Sequence, residues 1–303
     1  MRTQELKFIH VDAFTEVPYG GNPAGVVLGT GNLNEEQIKK IARELSVRES
    51  VFVSSSNKAD YKFRYMTPKG EIDFSGHATI AAFHALVEEG LAEIMHDVTM
   101  FTLEIRTGIL QVEVVKNDTT GIHEYQITHE RPQFLSTYDS KEYAEALGLN
   151  LVDIMSLYPI QTVSTGIPNL MVPVISLDAL NRVKPNWNKL HELSLKADYL
   201  GIEVFTREAH EVTSDAHARH FAPAIGVEED PVTGSAAGGL GSYMVHHGMF
   251  SSVNPVSSIV IEQGHFMGRP GKVIVEVHKI QGEIRQVKVS GTAVSVIKGR
   301  IYI

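Results

Sequence analysis

Two stretches of the 303-residue chain repeat one plan. The first, DFSGHATIAAFHALVEEG, runs from Asp73 to Gly90, and the second, DPVTGSAAGGLGSYMVHHG, from Asp230 to Gly248. Both open on small and helix-capping residues and continue as apolar helices. Aligning Gly76-His77-Ala78 with Gly234-Ser235-Ala236 places a helix-stopping glycine 14 positions after each leading glycine, at Gly90 and Gly248. A turn and strand also recur, since GNPAGVVL from Gly21 resembles GIPNLMVPV from Gly166. Two features in the same order in both halves point to a duplication. A helix that is apolar all round belongs inside a domain.

The rest of the chain reads as strands. Lys7 to Phe14, Val26 to Leu28, Val51 to Val53, Tyr61 to Met66, Val98 to Ile105 and Leu110 to Val115 have strand composition, as do Val273 to Val277, Val287 to Val289 and Ala293 to Ile303. One further helix is expected after Asn34, a candidate cap with Gln37 three residues on and with Ile38, Ile41 and Leu45 on one face. The expected division is an N-terminal barrel domain of residues 1–125 that recovers a C-terminal strand at about 293–303, and a C-terminal barrel domain of residues 126–292. Two barrels, each around its helix, then face each other across a cleft.

Composition excludes whole classes of chemistry. With 43% hydrophobic residues the chain is globular, and a net charge of -9 gives no footprint for nucleic acid or an anionic membrane. There is no cysteine, which removes disulfides, thiolate metal sites and thiol nucleophiles. No apolar run has membrane-spanning length and the first residues lack the pattern of a secretory leader, so cytoplasmic residence is expected.

The candidate chemistry lies at the helix starts. Free backbone N–H groups after Ser75 to Ala78 and after Thr233 to Ala236 form anion sites that suit a small molecule bearing a carboxylate. Asp73, Ser75, Asp230, Thr233 and Ser235 are candidates for substrate contacts or for plain caps. His77 is a poor cap, and histidine is the residue type suited to exchanging protons near neutrality. Glu49, in RESVFV, is either a surface residue or a buried carboxylate able to accept and return a proton. His217 and His220, in HARH, have a spacing that ligates a metal on a helix, but no third ligand accompanies them and no metal is expected. GGLG from Gly238 lies within a helical pattern and lacks the flanking strand and acidic residue of a dinucleotide loop.

The sequence resembles the PhzF-like family of phenazine-biosynthesis isomerases. The matching stretches are VDAFTEVPYGGNPAGVV, SVRESVFV, TPKGEIDFSGHATIAAF, STGIPNLMV, HFAPAIGVEEDPVTGSAAG, EQGHFMGRPGKV and VSGTAV. The resemblance implies an α+β, diaminopimelate epimerase-like fold, with two pseudo-symmetric β-barrel domains, each wrapped around a central α-helix, and an active site at the domain interface. It places the family's proton-shuttling glutamate on Glu49, its histidine on His77, and its second-motif aspartate and serine on Asp230 and Ser235. Ser75, Gly76, Gly234 and Arg219 are then substrate-binding candidates, although Arg219 also reads as a salt-bridge residue. The expected activity is a cofactor-independent isomerisation of a small carboxylic acid, in phenazine-like or other secondary metabolism, by a homodimer. Relatives on the same fold racemise with a pair of cysteines, which this chain lacks. A racemase working without thiols and a non-enzymatic binding or regulatory module are the alternatives.

Overall fold

Alternating apolar residues carry the chain into a strand at once, and the chain as a whole divides into two units. A computed structural model describes residues 5–250 and 254–303; the first residues, on which the leader-free reading partly rests, lie outside them. Unit 1 holds residues up to Ile127 together with Ser290–Ile303, and unit 2 holds Thr128–Val289.

In unit 1, β1 (Glu5–Ala13) pairs antiparallel with β2 (Asn22–Leu28). The helix α1 (Glu35–Leu45) then carries the chain to β3 (Ser50–Ser54), which lies parallel to β2. The expected cap is present: the Gln37 N–H donates to the Asn34 side chain at 2.9 Å and the Asn34 N–H to the Gln37 side chain at 3.0 Å. Ile38, Ile41 and Ala42 of α1 cover Val27, Phe52 and Met66. Strand β4 (Tyr61–Thr67) pairs with β3 and with the short β5 (Gly70–Ile72), both antiparallel. Next comes α2 (Gly76–Glu88), and then β6 (Val98–Ile105), parallel to β4, with β7 (Gly108–Val115) and β8 (Glu124–His129) continuing as an antiparallel meander. The helix α2 packs on β1, β2 and β3, and nine of its residues from His77 to Leu86 are buried. Strands covered by α1 on one face and α2 on the other are apolar on both faces, as parallel strands usually are.

Unit 2 repeats these pairings. From β9 (Gln133–Tyr138) and α3 (Ser140–Ala146) the chain enters β10 (Ile160–Ser164), antiparallel to β9 and to β11 (Pro168–Pro173). A crossover through α4 (Leu177–Arg182) and α5 (Trp187–Ser194) reaches β12 (Gly201–Thr206), parallel to β11. Strand β13 (Ala216–Ala222) pairs antiparallel with β12 and with the short β14 (Val227–Asp230). Then α6 (Gly234–His246) leads to β15 (Val256–Gln263), parallel to β13, and on to β16 (Gly271–Ile280) and β17 (Glu283–Gly291). The last strand, β18 (Ala293–Tyr302), belongs to unit 1, where it pairs antiparallel with β1 and contacts α2. The fold is α+β, with two units of barrel-like sheet around one helix each. Each half has a parallel pair bridged by outer helices and a second parallel pair bridged by its central helix, so the duplication extends through the whole topology. Among the described residues no helix is long and apolar enough to cross a membrane.

The central helices differ in how close the sheet comes. In α2 the small residues are alanines, such as Ala81, Ala82 and Ala85, whereas α6 carries Gly238, Gly239 and Gly241. A Cβ added at Gly241 would lie 2.6 Å from Val275 Cγ1 of β16, well inside contact distance. The GGLG run is therefore a packing surface inside a helix. Gly241→Ala is expected to destabilise the protein by about 1–3 kcal/mol through overpacking against a β-branched neighbour, read as a lower urea midpoint at unchanged m-value. A variant as stable as wild type would show that the Val275 contact yields freely.

Candidate active site

The end of α1 and the start of α2 bring the first two candidate residues together. After α1 stops at Ser46, whose φ of 52° turns the chain, Glu49 enters β3. Its carbonyl accepts from Gly25 N–H at 3.0 Å, which ties the backbone at Glu49 to β2. The carboxylate Oε2 then stands 3.6 Å from His77 Nε2 on the first turn of α2. That distance is too long for a hydrogen bond. Both atoms are buried, and neither has a hydrogen-bond partner among the described residues. An unsatisfied buried polar atom costs about 1–3 kcal/mol, so two of them facing each other mark a place built to receive a polar group.

Neighbouring hydroxyls fix this arrangement. Ser75 caps α2 by accepting from Ala78 N–H at 3.3 Å, and its Oγ lies 3.4 Å from His77 Nδ1. The Ser75 carbonyl accepts from the Thr79 hydroxyl at 2.7 Å, and Thr79 Oγ1 lies 2.6 Å from the Tyr65 hydroxyl. Burial raises the Tyr65 phenol far above its ordinary range, with the Glu49 charge adding to that effect, so Tyr65 stays protonated. The backbone at Gly76 is open, since a Cβ added there would meet nothing within 4 Å. Asp73 is not a cap; it forms an exposed ion pair with Arg106.

In unit 2 the corresponding turn is held by a different set of bonds. Thr233 occupies the cap position of α6 but makes no side-chain cap, because its hydroxyl donates to Asp230 Oδ2 at 2.5 Å. Gln263, at the end of β15, clamps the turn: its Oε1 accepts from Thr233 N–H at 3.0 Å, and its Nε2 donates to the Asp230 carbonyl at 2.8 Å. Gly234 and Ser235 begin the helix, with Ser235 half-buried. Their N–H groups have no partner within the helix, by the geometry of a first turn. Opposite Asp230 on β13 is His220, whose Nδ1 lies 2.9 Å from Glu203 Oε2. Glu203 is fully buried, and that burial raises its pKa. Gly201 makes room for the imidazole, since a Cβ there would lie 2.4 Å from His220 Cε1.

Residues 11–299 match the model of the phenazine biosynthesis-like protein family, PhzC-PhzF. The chain belongs to this PhzF family. An uncharacterized isomerase of Clostridium acetobutylicum is 37% identical over 99% of both chains. A trans-2,3-dihydro-3-hydroxyanthranilate isomerase of Pseudomonas fluorescens is 30% identical over 98% of this chain and 99% of its own. Among solved structures, a PhzF-family phenazine biosynthesis protein of Bacillus anthracis superposes with a TM-score of 0.90 at 34% identity, covering 99% of this chain and all 100% of that one. A hydroxyproline epimerase from Agrobacterium vitis shares the fold, with a TM-score of 0.61 at 11% identity. With relatives of this kind, the chain is a PhzF-family isomerase.

The structure brings some of the expected residues together and sets others aside. Glu49, His77 and Ser75 form one cluster, and Asp230, Gly234 and Ser235 lie within two turns of chain in the other unit. Arg219 is committed elsewhere. Its guanidinium makes a bidentate pair with Glu229 at 2.9 Å for both bonds, donates to the Leu180 and Val183 carbonyls at 3.1 Å, and stacks on Phe221 and Phe266. With its donors engaged in this way, the salt-bridge reading of Arg219 fits and a substrate contact does not. His217 and His220 lie on a strand, where residues three apart face opposite sides, so they do not form a pair. Gln263, Glu203 and Tyr65 do not stand out in the sequence; Gln263 sits within EQGHFMGRPGKV, whose match to the family is the one available signal. Gln263→Leu in this PhzF-family chain is expected to cost about 1–3 kcal/mol by leaving the Thr233 N–H unpaired, measured by chemical denaturation. No loss would mean that the turn holds its shape without the clamp.

Proposed function

We propose that this PhzF-family isomerase moves a proton on a small carboxylic acid, with Glu49 as the group that takes it and returns it and without a metal or organic cofactor in the step. The pair of unsatisfied buried atoms, Glu49 Oε2 and His77 Nε2 at 3.6 Å, carries this reading. A substrate C–H placed against Glu49 gives its proton to the carboxylate, and the same carboxylic acid delivers it to another carbon of the same molecule. Bonds and charge balance without an added reactant. His77 stabilises or relays the proton, with Ser75 behind its other nitrogen. The first-turn N–H groups at Gly76 and Gly234, with Asp230 and Ser235, are proposed to bind the substrate and steady the negative charge that develops on it. Thiol-pair racemisation is absent from the scheme because the chain has no cysteine. The Pseudomonas fluorescens relative directs attention to cyclic, amino-acid-like acids bearing a hydroxyl. Homodimerisation belongs to the same proposal and rests on the sequence resemblance, while cytoplasmic residence stands as the expectation drawn from the sequence itself.

Deuterium exchange tests the proposal. In deuterated water with a panel of small carboxylic acids, trans-2,3-dihydro-3-hydroxyanthranilate among them, the wild type is expected to give isomer or deuterated substrate by NMR. Glu49→Gln should lower the rate by about 10²–10⁴, the usual contribution of a positioned acid–base group. Unchanged exchange in Glu49→Gln would overturn the assignment, and deuterium appearing only at a stereocentre would mark a racemase. Ser235→Ala is expected to raise KM by about tenfold, the effect of losing one hydrogen bond worth about 1.4 kcal/mol. An unchanged KM would remove Ser235 from the substrate's contacts.

A further inference from the structure

Away from the proposed proton-transfer residues, unit 2 gathers three histidines. His210 lies in the segment between β12 and β13, His217 on β13, and His265 at the first position of a short 3₁₀ turn after β15. One ring nitrogen from each lies within 4.8 Å of the others, and the ring centroids are 4.6 to 5.0 Å apart. His217 Nε2 and His265 Nδ1 are buried without hydrogen-bond partners among the described residues, and His217 is fully buried.

A cluster of aromatic rings around the buried His217, with Phe266 5.4 Å away, accounts for the packing alone. It leaves the two buried nitrogens unsatisfied. It also leaves unexplained the role of Glu262, which is fully buried. One Glu262 oxygen lies 3.1 Å from His217 Nδ1 and accepts from the His210 N–H at 2.8 Å, while the other accepts from the Glu211 N–H at 2.8 Å. A single carboxylate therefore orients the His217 ring, aims its Nε2 away, and pins the backbone that carries His210. A carboxylate behind the imidazole in this way prepares it for a metal. Burial, with His265 alongside, lowers the His217 pKa to about 4 against the opposing Glu262 charge, and burial lowers that of His265.

We propose that His210, His217 and His265 bind one divalent transition-metal ion of the zinc, cobalt or nickel type. Three imidazole nitrogens suit such ions and do not suit calcium or magnesium, which require oxygen ligands. Zinc–nitrogen bonds of about 2.0–2.1 Å place tetrahedral ligands about 3.3–3.4 Å apart, so the rings close by less than about 1 Å each. The exposed side of His210 leaves the fourth position to water. The site also adjoins the clamp on α6. Glu262 and Gly264 flank Gln263, whose amide holds Thr233 and Asp230, and Gly264 takes a φ of 87° to start the turn bearing His265. A bound ion thus braces the strand end that supports the Asp230 turn.

The test uses the full chain, stripped with a chelator and titrated with cobalt(II) and zinc(II) alone. One equivalent of cobalt is expected to develop the intense visible absorption of a tetrahedral site, to be displaced by zinc, and to raise the thermal midpoint. His210→Ala, at an exposed loop position, should weaken binding by at least about a hundredfold and abolish the thermal shift; Glu262→Gln should weaken it by about 10–100-fold. Glu49→Gln should bind as the wild type does. No saturable binding at micromolar metal, or binding undiminished in His210→Ala, would overturn the site.

Discussion

Enclosing a helix in a sheet leaves only its two ends with access to polar partners, and the first turn of α2 and of α6 has to be satisfied within that limit. In α2 the serine hydroxyl and carbonyl of Ser75 take up Ala78 and Thr79, while Gly76 stays open. In α6 the load passes to Gln263, which reaches in from a neighbouring strand, and the Thr233 hydroxyl is turned back to Asp230. The two solutions differ in chemistry but leave the same product, a first helical turn whose N–H groups have no partner within the helix. Glu49, which we propose as the proton carrier, is placed beside the start of α2 by the parallel β2–β3 pair and the left-handed stop of α1.

Much of this was legible because it is local. The paired apolar helices, their glycine stops, the capped α1 and the strand between Val51 and Val53 arise from spacing and capping, and the resemblance to the PhzF family named Glu49 and His77, which the fold brings to 3.6 Å. What escaped depends on long-range partners. Arg219 reads as a salt-bridge residue in the sequence, but its partners, Glu229 and the two carbonyls at the end of α4, do not, and the HARH spacing, which would ligate a metal only on a helix, lies on β13. The small helices α3, α4 and α5 carry too few turns to show a period, yet they supply the outer apolar layer with Tyr143, Leu180 and Leu190. His217 gained its neighbours from a loop and from a turn 48 positions later, a conjunction that no spacing rule contains.

The same dependence on distance separates the two halves of the duplication. Unit 2 draws all its strands from one continuous stretch, Thr128–Val289, whereas unit 1 recovers the end of the chain, with Glu5 paired to Tyr302 in the β1–β18 register. Strand β1 is therefore made first and completed last. During synthesis the β1–β18 pairing cannot form until β18 emerges, by which time the whole of unit 2 has been translated. Closure of the sheet that packs on α2, the helix that begins beside Glu49 and carries His77, therefore waits for a strand translated after the whole of unit 2.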